Sequence, residues 1–598
     1  MIYITAKNHY RSRHAENEIF DIKDLLFLTL LGLLIFWAFQ GNQFEKSYEK
    51  SLLGLSQDNH FGAEVIYSGT GLTVQSVLAN SPADIAGIKK NDHITGFDGQ
   101  FISSLDMAKH IIKIAAEQEG TLKVNIQRGI QSKELYVNFN TRTQAMTSKR
   151  QSIPFPRQVI AIILMVKLTV IMFFMMIKNI VDRMYIVSGF AVLIIIVGNF
   201  FNLYSFLDAF FSIKFNTISL LLGMGIISIV LDEAGVFDYI SYKMYGVTRG
   251  NRFRMMVLFC FITYIFSSLV NNLTTILVIV PMTLNLSQLF DFDPKPIIVG
   301  EIISSNIGGA STMVGDFPNM LISSEMNIPF NEFIVYMMPI CIVLFGALLI
   351  YLKITAKDYF NSSDVSPVIH NKKLDKPIFS RRKTRAIRRS VFVLFHVILL
   401  FMLSSRISIR PSAIALFGGL SLFLFSGINR KAILNRVGFN DIFFFIGLFI
   451  VVGGIESSGL MHYISQWMTS LSVGKEWLLC LILMWSAALI TSFLSAGPTT
   501  AIFFPIVLSL SVQPPEHIIW WTLSLGVLAG SSATIVGATA GPVSAGLIEK
   551  HCRITGTNLV GGNTIHYKEF AKTGYPVMLM FLVISSFYIV FLNLRTLN

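Results

Sequence analysis

The sequence is poor in charged residues and in cysteine. Only 14% of its 598 residues are Asp, Glu, Lys or Arg, whereas soluble domains carry about 25%. Together with 53% hydrophobic residues, this excludes a disordered chain and a soluble enzyme. The four cysteines are far apart and form no CxxC or Cys/His spacing, which excludes a disulfide scaffold and a zinc site.

Catalytic motifs of membrane enzymes are also missing. None of the 11 histidines begins the HExxH pattern with which a metalloprotease holds zinc, and no rhomboid-like Ser/His motif occurs. We therefore expect no enzyme activity and no cofactor. The net charge of +13 is explained by Lys and Arg on cytoplasmic loops, so we expect no nucleic-acid partner.

Long apolar segments dominate what is present. Several approach the ~20 residues that a helix needs to cross a bilayer. They lie near residues 158–177, 184–204, 216–231, 255–283, 331–353, 390–404, 411–427, 442–455, 476–493, 499–511 and 574–593. An earlier run, 25–41, predicts a transmembrane anchor after a cytoplasmic N-terminus, 1–24. These patterns predict a polytopic α-helical membrane protein in a bacterial inner membrane.

Residues 55–141 have a different composition, with mixed polarity and alternating strands. A strand at 71–78 precedes SPADIAGIKKNDHITGFDGQ, an amphipathic helix at 105–118 and closing strands at 121–128 and 134–139. This order resembles a bacterial-type PDZ domain, which implies a small α+β fold outside the cytoplasm. The resemblance implies that a peptide or protein partner binds by strand addition in a groove between a strand and a helix, with the carboxylate-loop position at Gly71, Leu72 and Thr73. A folded spacer without a ligand is the alternative.

The apolar region contains an internal duplication. Gly223 and Pro281 recur 224 positions later, at Gly447 and Pro505, and STMVGD at 311–316 recurs as ATIVGA 222 positions later. We expect one repeat at 158–356, a basic cytoplasmic linker at 357–389 and a second repeat at 390–598. Basic residues flank opposite ends of equivalent helices, which predicts two inverted repeats, the arrangement of alternating-access carriers.

Each repeat has two polar stretches inside apolar sequence. They are 271–275 and 306–319 in the first repeat, and 495–500 and 530–539 in the second. Gly and Pro would break a membrane helix there, and Asn, Ser and Thr would be unfavourable facing lipid. Packing through small residues is one explanation. Because there are four paired stretches, we instead expect broken helices and re-entrant hairpins around a binding site.

NNLTT, SNIGGASTMVGDFPN and FFIGLFIVVGGIE resemble the ion transporter superfamily, in particular its arsenite permease, sodium/proton antiporter and P-protein group. The resemblance covers residues 158–598 and implies a first-repeat sodium site formed by Asn272, Thr275, Asn306 and Gly309. It implies substrate contacts from Asn271, Asn272, Thr274, Thr275, Thr499, Thr500, Ser532 and Thr534. In the second repeat Ser495, Ala496 and Ser532 replace the group's Asp and two Asn, which puts a second cation site in doubt.

Asp316 is an ionisable residue at the expected membrane depth, where it would carry the coupling proton or anchor a cation. A helix-cap carboxylate beside Pro318 is the alternative. The sequence thus predicts a secondary transporter of a small inorganic anion, oxyanion or carboxylate coupled to Na⁺ or H⁺. Two alternatives are a Na⁺/H⁺ antiporter and a PDZ scaffold with a degenerate carrier domain. The expected partners are a small solute or ion, the lipid bilayer and a second copy of the chain.

Overall fold

The structure is a computed structural model. It describes residues 22–36, most of 61–138, 155–236 except 179, 252–357 except 291 and 327, 381–510 except 408, 517–555 and 563–596. The predicted helix at 105–118 lies largely outside these residues. The first described helix, α1 (Ile22–Phe36), packs Phe27 against Phe423 with ring centroids 5.0 Å apart.

The N-terminal domain is an antiparallel sheet with a short helix. The strands are β1 Ala63–Tyr67, β2 Leu72–Val77, β3 His93–Phe97, β4 Gln100–Phe101, β5 Thr121–Arg128 and β6 Gln131–Asn138, and the helix is α2 Pro82–Ile85. The strand order is β1-β2-β3-β5-β6, with β4 paired to β3. Ser81 caps α2, and Gly87 has a positive φ of 82° just after it. This sheet encloses its own hydrophobic core.

A buried ion pair joins the loop before β3 to the end of β5. Arg128 Nε and Nη2 donate to the two carboxylate oxygens of Asp92, each over 2.6 Å, and Lys89 N donates to Oδ2 over 2.8 Å. Burial by itself raises the pKa of the Asp92 carboxyl, but these hydrogen bonds outweigh burial and hold that pKa below its ordinary value.

The remaining described helices form two sets. The first set is α3 Phe155–Ile177, α4 Arg183–Phe200, α5 Phe206–Ser212, α6 Phe215–Ala234, α7 Arg252–Leu269, α8 Asn272–Phe290, α9 Lys295–Ala310, α10 Phe317–Met326 and α11 Phe330–Thr355. The second set is α12 Arg381–Ile407, α13 Pro411–Phe425, α14 Arg430–Arg436, α15 Phe439–Ser458, α16 Leu460–Leu471, α17 Glu476–Leu494, α18 Ala496–Leu508, α19 Ile518–Ser531, α20 Gly541–Thr555 and α21 Tyr567–Thr596.

Nine helices of the described residues are long and apolar enough to cross a bilayer. The chain is therefore a multi-pass membrane protein, and the predicted helical fold with a small α+β domain is confirmed. One boundary needs correction. Helix α12 begins at Arg381, inside the basic segment that we expected to be a linker up to residue 389.

The two sets are built alike, and each packs into the other. Helices α6 and α15 both end at a glycine with positive φ, Gly235 (87°) and Gly459 (83°). A Cβ on Gly223 of α6 would lie 2.3 Å from the Ala415 carbonyl of α13, and one on Gly447 of α15 would lie 3.0 Å from Val187 of α4. Close helix contacts thus join the two repeats.

Candidate functional site

Helices α7 and α8 form a hairpin whose tip lies beside the end of α9. Gly308 of α9 packs against Tyr264 of α7, and a Cβ there would lie 2.2 Å from the Tyr264 carbonyl. Gly309 packs in the same way against the side chain of Asn272, at the start of α8. Farther from the tip, Thr283 of α8 hydrogen bonds to Glu301 of α9. Helix α8 therefore runs back along α9, as in a re-entrant hairpin.

The second repeat reproduces this arrangement with other side chains. A Cβ on Gly530 of α19 would lie 2.2 Å from the Ala488 carbonyl of α17. Beyond the helix ends, Thr312 Oγ1 donates to the Ser268 carbonyl and Thr534 Oγ1 to the Ser492 carbonyl, each over 2.6 Å. The same bonds thus stabilise both unwound segments.

All four predicted polar stretches coincide with helix breaks. Helix α7 ends before Asn271, whose Oδ1 caps α8 by accepting from Leu273 N over 2.9 Å. Helices α9 and α19 end at Ala310 and Ser531. Ser495 separates α17 from α18 with a φ of 72°, a region in which non-glycine residues are uncommon.

Asn272 and Gly309 form the centre of the first cluster. Asn272 is fully buried, and its Oδ1 accepts a hydrogen bond from Ser267. The Asp316 carboxylate lies close to the Asn272 amide, although Asn272 Nδ2 makes no hydrogen bond of normal geometry. Asp316 Oδ1 also accepts from Phe317 N over 2.9 Å. Asp316 therefore meets the geometry of a helix cap and also lies beside the predicted cation ligands.

The predicted threonines are distributed over both hairpin tips. Thr275, Thr499 and Thr500 are buried, and each hydroxyl donates to the carbonyl four residues earlier. Thr274 is half-buried. Ser532 is buried and donates to the Leu528 carbonyl over 3.0 Å. Among the described residues, no hydrogen bond joins 271–275 directly to 495–500.

Two asparagines connect the repeats instead. Asn306 Nδ2 donates to the Ser531 carbonyl over 3.1 Å, while Asn306 Oδ1 is buried without a hydrogen-bond partner. Asn319, which our site prediction omitted, donates to the carbonyls of Gly309 (3.1 Å) and Thr312 (3.0 Å). Its Oδ1 accepts from Ser524 of the second repeat over 2.7 Å. The available sequence signal was an amide directly after Pro318 and inside apolar sequence.

Helix ends give the site a mixed electrostatic character. Helices α8, α10, α18 and α20 begin at the breaks and present N–H groups there, which favour an anion. Helices α7, α9, α17 and α19 end there and present carbonyls, which favour a cation. The four polar stretches contain no Lys or Arg. The arrangement is therefore suited to bind an anion and a small cation without charged basic side chains.

Comparison with known protein families assigns most of the chain to two of them. Residues 170–526, more than half of the chain, match the citrate transporter family. The chain belongs to this family. Residues 41–139 match the PDZ domain family, so this family member also carries a PDZ domain.

Several relatives of this citrate transporter family member are known. The magnetosome protein MamN of Magnetospirillum gryphiswaldense is 32% identical over 412 residues, covering 68% of this chain and 94% of MamN. An uncharacterized transporter of Mycobacterium tuberculosis H37Rv is 31% identical over 399 residues, covering 64% of this chain and 88% of that protein. The mouse P protein is 28% identical over 457 residues, covering 63% of this chain and 54% of the P protein. The predicted resemblance is confirmed.

The PDZ sheet of this family member limits where a peptide strand can pair. Leu72 and Thr73 of β2 pair with Tyr67 and Ile66 of β1 on one side, and with Ile94 and His93 of β3 on the other. A strand paired along both edges offers no free backbone for strand addition. A peptide strand therefore cannot pair with Leu72 and Thr73, and the carboxylate-loop position at Gly71, Leu72 and Thr73 stays a prediction. Among the described strands, β1 lies at the edge of the sheet order.

Proposed function

We propose that this citrate transporter family member is a secondary active transporter that works by alternating access and is not an enzyme. The observation that supports this most strongly is a pair of equivalent helix breaks, one in each repeat. In the first the Thr312 hydroxyl hydrogen bonds to the Ser268 carbonyl, and in the second the Thr534 hydroxyl hydrogen bonds to the Ser492 carbonyl. Asn306 and Asn319 join one break to the other. Two such units can rock against each other around a shared central site.

The proposed substrate is a small inorganic anion, an oxyanion or a small carboxylate. Four helix N-termini would bind its negative charge through backbone N–H groups. Because the polar stretches contain no arginine, recognition would not use the bidentate guanidinium contacts typical of carboxylate sites. The family description makes citrate one solute to be tested.

The proposed cation site consists of Asn272, Thr275, Asn306 and Gly309. Asn306 Oδ1 fits this role because it is buried with no hydrogen-bond partner, and such an oxygen is stabilised by a cation. The equivalent position to Asn272 in the second repeat is Ala496, which offers no side-chain ligand. The proposal therefore has one cation site with side-chain ligands, in the first repeat, and Na⁺ or H⁺ as the coupling ion.

The chain is further proposed to reside in the bacterial inner membrane with its N-terminus in the cytoplasm and its PDZ domain outside. The basic α12 start supports a cytoplasmic position for that helix end, since Lys383, Arg385, Arg388 and Arg389 are all exposed. The PDZ domain would bind a peptide or protein partner at a sheet edge.

Flux into proteoliposomes tests the transport proposal. The purified full-length protein would face imposed Na⁺ or pH gradients with radiolabelled citrate, succinate, phosphate, sulfate, arsenite or ²²Na⁺. We expect gradient-driven accumulation of one anion. Exchange of Na⁺ for H⁺ without any anion would favour the antiporter, and no flux together with tight peptide binding would favour the scaffold.

A further inference from the structure

Glu301 is a buried acid that the central site does not use. It lies in the middle of α9 and is 0% exposed. Its Oε1 accepts a hydrogen bond from Thr283 of α8, but Oε2 is buried without a hydrogen-bond partner. Among the described Lys, Arg and His side chains, none forms an ion pair with it. An isolated charged carboxylate is strongly unfavourable in such surroundings.

Polar groups surround Glu301 on two neighbouring helices. The Cys260 thiol of α7 interacts electrostatically with Glu301 and faces the Ser304 hydroxyl, one turn farther along α9. Ser304 Oγ is also buried without a hydrogen bond of normal geometry. Glu301 and Ser304 thus present two unpartnered oxygens on one face of α9.

The second repeat shows that the fold does not need these groups. At the equivalent positions Leu523 replaces Glu301, Val507 replaces Thr283, and Met484 replaces Cys260. Gly526 takes the place of Ser304 and packs against Met484. A Cβ added to Gly526 would lie 2.5 Å from the Met484 carbonyl oxygen. Leu523 is 0% exposed. Since an apolar set builds the same helix packing, the polar set in the first repeat is not required for folding.

We propose that Glu301, together with Thr283, Ser304 and Cys260, forms a proton-binding site separate from the central cation and solute site. This inference rests on the proposed transport function. The carboxylate would accept a proton on Oε2 and release it later, so that only an O–H bond forms and breaks. Glu301 precedes Asn306 by five residues, or about 7.5 Å along the helix. A change of charge there would be felt at the solute site.

Ionisable groups on the helices packed against α9 are the other candidate sources of a pH response. Cys260 of α7 faces Glu301. Helix α11 places Leu352 beside Gly300, and its Lys353 lies 5.4 Å from the ring of Phe253. Helix α8 supplies the Thr283 hydroxyl, and α19 contains no ionisable residue. Helix α20 carries His551, whose Nε2 is buried without a hydrogen-bond partner.

The test combines infrared spectroscopy with flux measurements on the full-length protein. A protonated carboxyl gives a C=O band that disappears on titration, and Glu301→Gln should remove that band. In proteoliposomes, accumulation driven by a pH gradient should fall at least about tenfold in Glu301→Gln, while solute exchange at equal pH should stay within about twofold. His551→Gln and the exposed Glu549→Gln are controls that should retain the wild-type pH response.

Retention of the titrating band, or of accumulation driven by the pH gradient, in Glu301→Gln would overturn the proposal. If Glu301→Gln does not fold, Glu301→Leu combined with Thr283→Val reproduces the packing of the second repeat and serves instead. Band loss in a protein that moves no solute would support the proton site while refuting the transport function. The two proposals therefore fail separately.

Discussion

Asn306 Nδ2 donates a hydrogen bond to the Ser531 carbonyl over 3.1 Å, and this bond joins the end of α9 to the end of α19. These two helix ends occupy equivalent positions in the two repeats. Their direct contact places both unwound segments at a common centre. A motion that separates the repeats must break this bond or carry both segments together.

Asn272→Ala should abolish cation-dependent transport. The substitution removes a buried amide that packs against Gly309 and accepts from Ser267, and with it a proposed oxygen ligand. The measurement is flux against Na⁺ concentration in proteoliposomes. Thr169→Val is the control and should retain Na⁺ dependence, because Thr169 is a buried threonine of α3 outside the site whose hydroxyl donates to the Met165 carbonyl. Unchanged Na⁺ dependence in Asn272→Ala would remove this residue from the cation site.

Gly308→Ala and Gly530→Ala should destabilise the protein to a similar extent. The new Cβ would lie 2.2 Å from the Tyr264 carbonyl in Gly308→Ala and 2.2 Å from the Ala488 carbonyl in Gly530→Ala. Overpacking of this kind lowers the free energy of unfolding by about 1–3 kcal/mol. Thermal unfolding in detergent measures the effect. Gly346→Ala is the control because nothing lies within 4 Å of its Cβ, so its helix should be unchanged or slightly more stable. Equal melting temperatures for all three variants would contradict the packing described here.

The Asp92–Arg128 pair should make the PDZ domain sensitive to acid. Because the folded-state pKa of Asp92 is lowered, its stabilising contribution is full above the unfolded-state pKa of about 3.9. That contribution is lost as the pH falls through the lower folded-state pKa. Hydrogen exchange of β3 and β5 in the full-length protein, from pH 7 to pH 2.5, follows this loss.

Asp92→Asn is the comparison for that titration. It should reduce protection at pH 7 by about 1.5–3 kcal/mol, since hydrogen bonds to a charged group are lost. It should also flatten the acid dependence. An Asp92→Asn protein with wild-type protection at pH 7 would show that the ion pair does not stabilise the domain.

Deletion of residues 50–140 should leave transport measurable. The sheet and the helices enclose separate hydrophobic cores, so removal of one does not expose the other. The measurement is turnover of the deletion protein in proteoliposomes, with size-exclusion chromatography as the check of folding. Complete loss of turnover in a folded deletion protein would mean that the PDZ domain gates the carrier.

The sequence predicted the helix breaks well because Gly, Pro and Asn act locally. Ser495 and the Asn271–Asn272 pair interrupt apolar runs, and both prove to be junctions between helices. Duplication also allowed each break to be checked against its counterpart. The helix breaks in the structure therefore coincide with the four polar stretches that the paired motifs predicted.

Several helices lie outside the predicted apolar segments, among them α9 and α19. Helix α9 is buried by protein along nearly its whole length, so it needs no lipid-facing apolar surface and can carry Ser, Gly, Asn and Glu. Helix α19 is equally buried and apolar, but its 14 residues are fewer than a membrane span needs. The contact between Glu301 and Thr283 was also not predictable, because it forms only when α8 packs antiparallel along α9, and no local sequence pattern shows that packing. The pairing of β1 with β2 was not predicted either, because the sequence of a single strand does not show which strand it pairs with.

The most direct test of a shared alternating site is thiol accessibility at Thr274→Cys and Thr499→Cys in oriented membranes, because neither threonine is a proposed cation ligand. All four native cysteines are buried, so background labelling by a membrane-impermeant maleimide should be low. We predict that both positions react from one side of the membrane without Na⁺, and that Na⁺ changes the reactive side or the rate at both together. Labelling that does not respond to Na⁺, or that responds at only one of the two positions, would contradict the account.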